Sequence, residues 1–279
     1  MTTLTPPYII NIDKPEGITS YKLVERVKSN LHLKKAGHAG TLDPLATGVM
    51  IILADSATRF SQYFLNLDKE YIFTIKTGIE TDTLDREGKV ISEQTPPILS
   101  EENINKVLGG FIGITLQKPP MYSALKHNGM RLYDLARRGQ EVERALREIN
   151  VSELQLLEYN RPFIRLRTVC SKGTYVRTMC ADISGKLGTV GHVVELRRTR
   201  VGRFRARGDD SMEMFSIDDA LDHFPYMSVS AKEGKILQAG MKIRRDDISS
   251  NGYIRIKNSI GLSGVGSALN GEIKMETRV

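Results

Sequence analysis

Residues 37–48, GHAGTLDPLATG, hold one carboxylate, Asp43, and one histidine, His38, in a chain of which 26% is charged. Two readings fit so bare a segment. Asp before Pro is a standard helix start, because Asp accepts from free amides and Pro suits the first helical position, where no N–H is needed. Alternatively, Asp43 is a functional carboxylate. A lone carboxylate can act as a nucleophile if something keeps it ionised. Burial raises its pKa, whereas a close guanidinium lowers it and orients it through two hydrogen bonds. CSKGTYVRTMCADIS offers such a donor in Arg177, beside Tyr175 and Lys172, where a strand passes into a helix. The plain alternative is a surface arginine in a helix's first turn. Tyr71 and Tyr175 are candidate stacking platforms for a nucleobase, though each also suits a core or sheet-edge position. His38 reads either as a ligand contact or as a hydrogen-bonded loop histidine.

Several other chemistries lack their residues. No Lys-Ser or Lys-Thr follows the second glycine of GHAGTLDPLATG, so it is not a phosphate loop. No GxSxG elbow is present. A glycosidase needs two carboxylates flanking a sugar bond, and no acid adjoins Asp43 in sequence. Cys170 and Cys180 are the only cysteines. With no paired CxxC, HExxH or dense histidine cluster, neither a metal site nor a disulfide framework is expected, which fits a reducing compartment. The apolar run VMIILA is far too short to span a bilayer, and no secretory signal is apparent. The expectation is a cytoplasmic protein that needs no membrane.

The charge balance is basic, 40 Lys+Arg against 33 Asp+Glu for a net +7. Its distribution says more. Arg197, Arg198, Arg200, Arg203, Arg205 and Arg207 crowd into ELRRTRVGRFRARG, and ALKHNGMRLYDLARRG adds Lys126, Arg131, Arg137 and Arg138. Clusters like these are the usual electrostatic footprint for a phosphate backbone, with a solvated strand face as the alternative.

The elements that must position these groups follow from periodicity. YIINID predicts a strand ending at the DKPEG turn. A helix follows, capped by Thr19 or Ser20, with Val24, Val27 and Leu31 at helical spacing. GVMIILA predicts a buried strand, and SATRFSQYFLN a short helix. KEYIFTIKTG alternates, with Tyr71, Phe73 and Ile75 on one face. IETDTLDREGK reads as a long polar connection. SEENINKVLGGF predicts a helix capped by Ser100, and LQKPPMYSALKHNG a Pro-rich loop before the helix RLYDLARRG. Strands around 149–158 and 163–170 precede the helix of TYVRTMCADISGKLG, and HVVELRRTRVG closes the section as a strand. This mixture lacks a regular βαβ repeat, so the fold class is α+β with a mixed, largely antiparallel sheet. Beyond about 230 the pattern changes to short strands split by glycine turns. Two units are therefore expected: residues 1–230, and a small β-rich unit over 231–279.

Taken in order, DKPEGITS, GHAGTLDPLATGVM, KEYIFTIKTGIETDTLD, QKPPMYSALKHNGMRLYDLARRG, CSKGTYVRTMCADISGKLG and HVVELRRTRVG closely resemble the TruB family of tRNA pseudouridine synthases. The resemblance covers roughly residues 8–210. It implies the pseudouridine synthase fold and isomerisation of uridine to pseudouridine in the T-loop of tRNA, at the position conventionally numbered 55, without a metal or cofactor. It casts Asp43 as the catalytic aspartate, Arg177 as its paired arginine, and Tyr71 as the tyrosine that stacks on the uracil and is a candidate for proton transfer. Tyr175 and Leu196 would line the nucleotide pocket, His38 would contact RNA as the base leaves the loop, and Lys14 and Pro15 would support the site. Attack by Asp43 on the ribose and attack on the base both fit. Reaching a base in a structured loop requires flipping it out, with stacking and phosphate contacts offsetting the cost. Lys126, Arg131, Arg198 and Arg200 are the expected phosphate contacts. The implied partner is the tRNA T-stem-loop, with no protein partner. Residues 231–279 match the family's PUA-type RNA-binding unit only loosely. A non-catalytic RNA binder and a retaining glycosidase are the rival readings.

Overall fold

The computed structural model describes residues 7–208, 211–248 and 251–279. Among these, ten strands form one sheet. Its order is Met212–Ser216, Tyr8–Lys14, Thr47–Ala54, Gly191–Val201, Lys69–Thr77, Phe163–Cys170, Arg147–Asn160 and Gly113–Gln117. Ala36–His38 pairs beside Thr47–Ala54, and Phe204–Arg205 folds back on Gly191–Val201. Every junction is antiparallel except one. Thr47–Ala54 meets Gly191–Val201 in parallel over only two residue pairs, Arg197 with Thr47 and Arg198 with Gly48. The sheet is thus mixed and largely antiparallel, the class expected from the sequence.

The uninterrupted apolar run of Thr47–Ala54 has a direct cause, since this strand is covered on both faces. Val49, Ile51 and Leu53 pack with Phe60, Tyr63, Phe64 and Phe204. Met50, Ile52 and Ala54 pack on the opposite face with Leu23, Val24 and Val27 of the helix Ser20–Asn30. Thr19 caps that helix by accepting from the Lys22 amide at 3.1 Å. A third cluster joins Tyr71, Phe73 and Ile75 to Ile104 and Leu108 of helix Glu101–Gly109 and to Val176, Met179 and Ile183 of helix Val176–Lys186. The alternation in Lys69–Thr77 therefore delivers Tyr71 to the same layer as the helix that carries Arg177.

Three local expectations change. The Asp43-Pro44 pair starts no helix: a turn follows, and the strand begins at Thr47. Burial of the apolar run on both faces outweighs one capping interaction, because each fully buried aliphatic side chain contributes about 1.5–3 kcal/mol and a cap about 1 kcal/mol. The polar stretch IETDTLDREGK opens with a strand, Ile79–Thr81, which pairs with the expected strand of KVISE, Val90–Glu93, and makes the connection a hairpin loop. The Pro-rich loop contains a two-residue ladder, Lys126–His127 with Met130–Arg131, closed by Asn128-Gly129 with both residues at positive φ. Asn-Gly is the favoured pair for such a turn.

The C-terminal sheet has five strands, in the order Tyr226–Ser228, Gly252–Asn258, Gly261–Leu269, Glu272–Arg278, Ile243–Arg244. Its first strand lies before residue 231. It packs on the main body through Tyr63, whose hydroxyl is 2.8 Å from Thr277 Oγ1 and whose ring meets Tyr253 edge-on at 4.9 Å. No helix among the described residues is long and apolar enough to cross a membrane.

Candidate active site

Asp43 lies in the loop between Ala36–His38 and Thr47–Ala54, and that loop is pinned at several points. Ser20, the first residue of its helix, accepts from the Leu42 amide at 2.8 Å and donates to the Leu42 carbonyl at 2.9 Å. The Pro44 carbonyl accepts from the Gly17 amide at 2.9 Å and from Lys14 Nζ at 3.1 Å. Lys14 also donates to the Pro15 and Ile18 carbonyls. It is fully buried, and desolvation pushes its ammonium down to about 8 against the opposing pull of Asp43. Pro15 is itself exposed and contributes its carbonyl. The DKPEG turn thus serves to hold Asp43-Pro44.

Arg177 meets Asp43 with both edges of its fork. Nε is 2.8 Å from Oδ2, and Nη2 donates to Oδ1 at 3.1 Å. The guanidinium is held in turn from behind. Nη1 donates to the Thr83 carbonyl at 2.9 Å, Nη2 donates to the Tyr122 carbonyl at 2.7 Å, and Asp85 Oδ2 stands 3.5 Å from Nη1. The Arg177 side chain is only 5% exposed, whereas that of Asp43 is 33% exposed. The carboxylate is therefore the member of the pair that a ligand reaches. The surface-arginine reading of Arg177 does not hold.

Asp85 is the acid that sequence reasoning missed, because it sits in the segment read as a connection. It accepts from Thr83 Oγ1 at 2.6 Å and from the Glu87 amide at 3.0 Å, and the adjoining backbone bonds to Val193. The available signal was the Asp and Thr spacing of TDTLD, which favours local side-chain-to-backbone turns. Asp85 is buried behind Arg177, so it is not the second carboxylate across a sugar bond that a glycosidase needs. Its role is to fix the guanidinium. Asp85→Asn should lower the chemical rate about 100-fold, the scale of a 1 Å misplacement, with RNA affinity unchanged. Single-turnover and filter-binding measurements separate the two.

Tyr71 is buried, and burial pushes its phenol up. Arg198 opposes that shift, while Cys170 and Asp43 add to it. Leu196 is buried in the same cluster. Tyr175 caps the helix of Arg177, and its amide and carbonyl are both bonded to Gln117. Burial raises its phenol, and Arg177 and Asp43 both act on it electrostatically. His38 is half-buried, and burial followed by the Arg198 charge lowers its imidazole pKa, which favours the neutral ring. Asp43, Arg177, Tyr71, Tyr175 and Lys14 therefore share one electrostatic neighbourhood.

The arginine cluster differs from expectation. Arg197 pairs with Asp13, Arg203 with Asp222, and Arg207 with Glu213 at 2.6 Å. Arg200 donates to the Gly202 carbonyl at 2.9 Å and lies 4.0 Å from Glu70. Arg198 is 1% exposed and is no surface contact for phosphate: its guanidinium is turned into the core toward backbone carbonyls. Carboxylates outside the run neutralise much of it. The second basic segment behaves otherwise, since Lys126, Arg131, Arg137 and Arg138 are all exposed. It follows directly on Tyr122, whose carbonyl holds Arg177.

Comparison with known proteins agrees with this geometry. The model of the TruB family pseudouridylate synthase N-terminal domain matches residues 28–176, and that of the tRNA pseudouridylate synthase B C-terminal domain matches residues 177–234. The chain is 41% identical to tRNA pseudouridine synthase B of Francisella philomiragia, over 90% of this chain and 84% of that one. It is 37% identical to the Clostridium tetani protein of the same name, over 92% and 94%. Among solved structures, a Cbf5-Nop10-Gar1 complex contains a chain of 25% identity with a TM-score of 0.73, covering 97% of this chain and 84% of that one. An H/ACA RNP bound to a substrate RNA shares the fold at 23% identity and a TM-score of 0.71. With both halves of the Asp43–Arg177 pair inside matched segments, the chain belongs to the TruB family of pseudouridylate synthases.

Proposed function

We propose that this isomerase acts on tRNA, converting the T-loop uridine conventionally numbered 55 to pseudouridine with Asp43 as nucleophile. The carrying observation is the two-bonded pair of Asp43 and Arg177, in which only the carboxylate reaches solvent. Relatives of about 40% identity bear the name tRNA pseudouridine synthase B, which supports the substrate class. In the reaction, the target base leaves the loop and stacks on Tyr71, with Tyr175 and Leu196 lining its pocket. Asp43 attacks the nucleotide and the N1–C1′ bond breaks. The uracil turns and C5 bonds C1′, the bond to Asp43 breaks to return the free carboxylate, and C5 gives up its hydrogen as a proton while N1 takes one up, with Tyr71 the candidate for proton transfer. Arg177 keeps the carboxylate anionic and oriented, a role suited to a planar fork. Lys14 holds the loop through Pro44, and neutral His38 contacts the RNA as the base departs. The C-terminal sheet acts as a PUA-like RNA-binding unit, and the enzyme works in the cytoplasm.

The product has the substrate's mass, so tritium release from a 5-tritiated uridine in a T-stem-loop is the deciding assay. Stoichiometric release is expected, and a wild-type chain that binds this RNA and leaves the label in place would overturn the reading. A second expectation concerns phosphate. Neutralising Lys126 and Arg131 together should weaken RNA affinity and reduce the slope of log K against log salt by about 1 for each phosphate no longer engaged. An unchanged slope would return that hairpin to an ordinary solvated surface.

A further inference from the structure

Arg198 is the largest fully buried side chain described in the molecule. A guanidinium stays protonated in proteins, so this is a permanent charge inside the core, where charges are normally paired. Its partners are instead carbonyl groups. Nε donates to Val49 at 2.7 Å and Nη2 to Gly40 at 3.2 Å. Those two carbonyls flank the loop of Asp43, one on each side. Gly40 holds φ at +114°, which L side chains rarely adopt, and a Cβ built there would stand in ordinary contact with Nη1 at 3.5 Å. On the third side stands Tyr71, the cross-strand partner of Arg198 in the register of Gly191–Val201 with Lys69–Thr77. Cross-strand pairing puts the two side chains on one face of the sheet, where the Arg198 guanidinium opposes the upward push of burial on the Tyr71 phenol.

We propose that Arg198 is a positioning residue for the isomerisation, anchored by the two ends of the Asp43 loop and fixing the Tyr71 hydroxyl with respect to that loop. A phenol oxygen that faces a guanidinium is engaged as an acceptor, which leaves its own proton directed elsewhere. The same contact ties the orientation of the ring that stacks on uracil to the loop that carries the nucleophile. Arginine suits the task because its rigid fork serves several acceptors at once, which a lysine ammonium on a flexible stem does not reproduce. The charged and titratable groups acting on Tyr71 are Arg198, Asp43 and Cys170, and of these only Arg198 favours the phenolate. The catalytic part of the proposal rests on the T-loop reaction above, whereas the contact with Tyr71 does not.

The test uses the full chain labelled with tyrosine carrying ¹³C at Cζ, the Tyr71 resonance being assigned from Tyr71→Phe. In Arg198→Met and Arg198→Lys the Tyr71 resonance should move and its titration midpoint should rise. Single-turnover tritium release should fall about 100-fold in Arg198→Met and about tenfold in Arg198→Lys, with RNA Kd within about threefold. In a Tyr71→Phe background the further loss from Arg198→Met should shrink to about threefold or less, as expected for residues that act as a unit. An unmoved Tyr71 resonance, or a full additional 100-fold loss in that background, would overturn the proposal. Arg198→Lys keeps the charge and serves if Arg198→Met does not fold. A wild-type chain silent in tritium release would remove the T-loop reading, while the resonance would still decide the contact.

Discussion

Asp43→Asn should reduce tritium release from a 5-tritiated T-stem-loop by about 10⁴-fold or more, the scale on which loss of a nucleophile is felt, while RNA affinity stays within about threefold. Asn keeps the shape and one acceptor for Arg177 but removes the charge and the nucleophilic oxygen. The loss is not a folding effect. Arg177 retains the carbonyls of Thr83 and Tyr122 and the carboxylate of Asp85. Asp43 is also the partly exposed member of the pair, so its removal should cost about 1–2 kcal/mol of stability. A chain with stability to spare stays folded through such a change. Filter binding, thermal melting and tritium release on one preparation give three independent readings. Release at the wild-type rate would take Asp43 out of the nucleophile role. Loss of binding in parallel with loss of release would make it a substrate contact instead.

Arg177→Lys should be damaging in a different way, lowering both rate and stability. The guanidinium serves four acceptors in different directions, including the buried Asp85. A lysine reaches one or two of them and leaves polar groups unpaired in the core. Breaking a buried ion pair from one side costs about 3–5 kcal/mol, so the urea midpoint should fall well beyond that of Asp43→Asn. The single-turnover rate should fall by about 10³-fold or more, because the nucleophile loses its orienting partner as well as part of its electrostatic support. The contrast between the two variants is the informative result. A lysine variant within tenfold of wild type and equally resistant to urea would mean that a point charge suffices and that the fork geometry is incidental.

Much of this arrangement was legible from residue types. Alternation in KEYIFTIKTG placed Tyr71, Phe73 and Ile75 on one face, and all three share a buried cluster. Chemical logic paired a lone carboxylate with a guanidinium 134 residues away, and the two are in contact. The parts that were not legible share a physical cause: they depend on partners that a one-dimensional pattern does not contain. Asp85 is held by short-range bonds to Thr83 and Glu87, which carry no hydrophobic period. The arginine-rich run gave no sign that Asp13, Glu70, Asp222 and Glu213 face it from elsewhere. Counting cations along a strand measures potential charge, whereas only the fold determines how much of it remains unmatched. Asp43-Pro44 carries a genuine capping signal that the packing of the following strand overrides.

The single parallel junction in the sheet sets an order on how the enzyme comes to exist. Gly48 lies so close to the backbone of Arg198 that a Cβ there would stand 2.1 Å from its carbonyl oxygen. This seam joins strands that are made early and late on the ribosome. Chains fold from the N-terminus as they emerge, and pairings of large sequence separation form last. The Asp43 loop emerges well before Arg177 and Arg198, so the nascent chain presents this aspartate without its paired guanidinium while the next 134 residues are made. A fragment ending before the Gly191–Val201 strand should therefore release no tritium although it contains both Asp43 and Arg177.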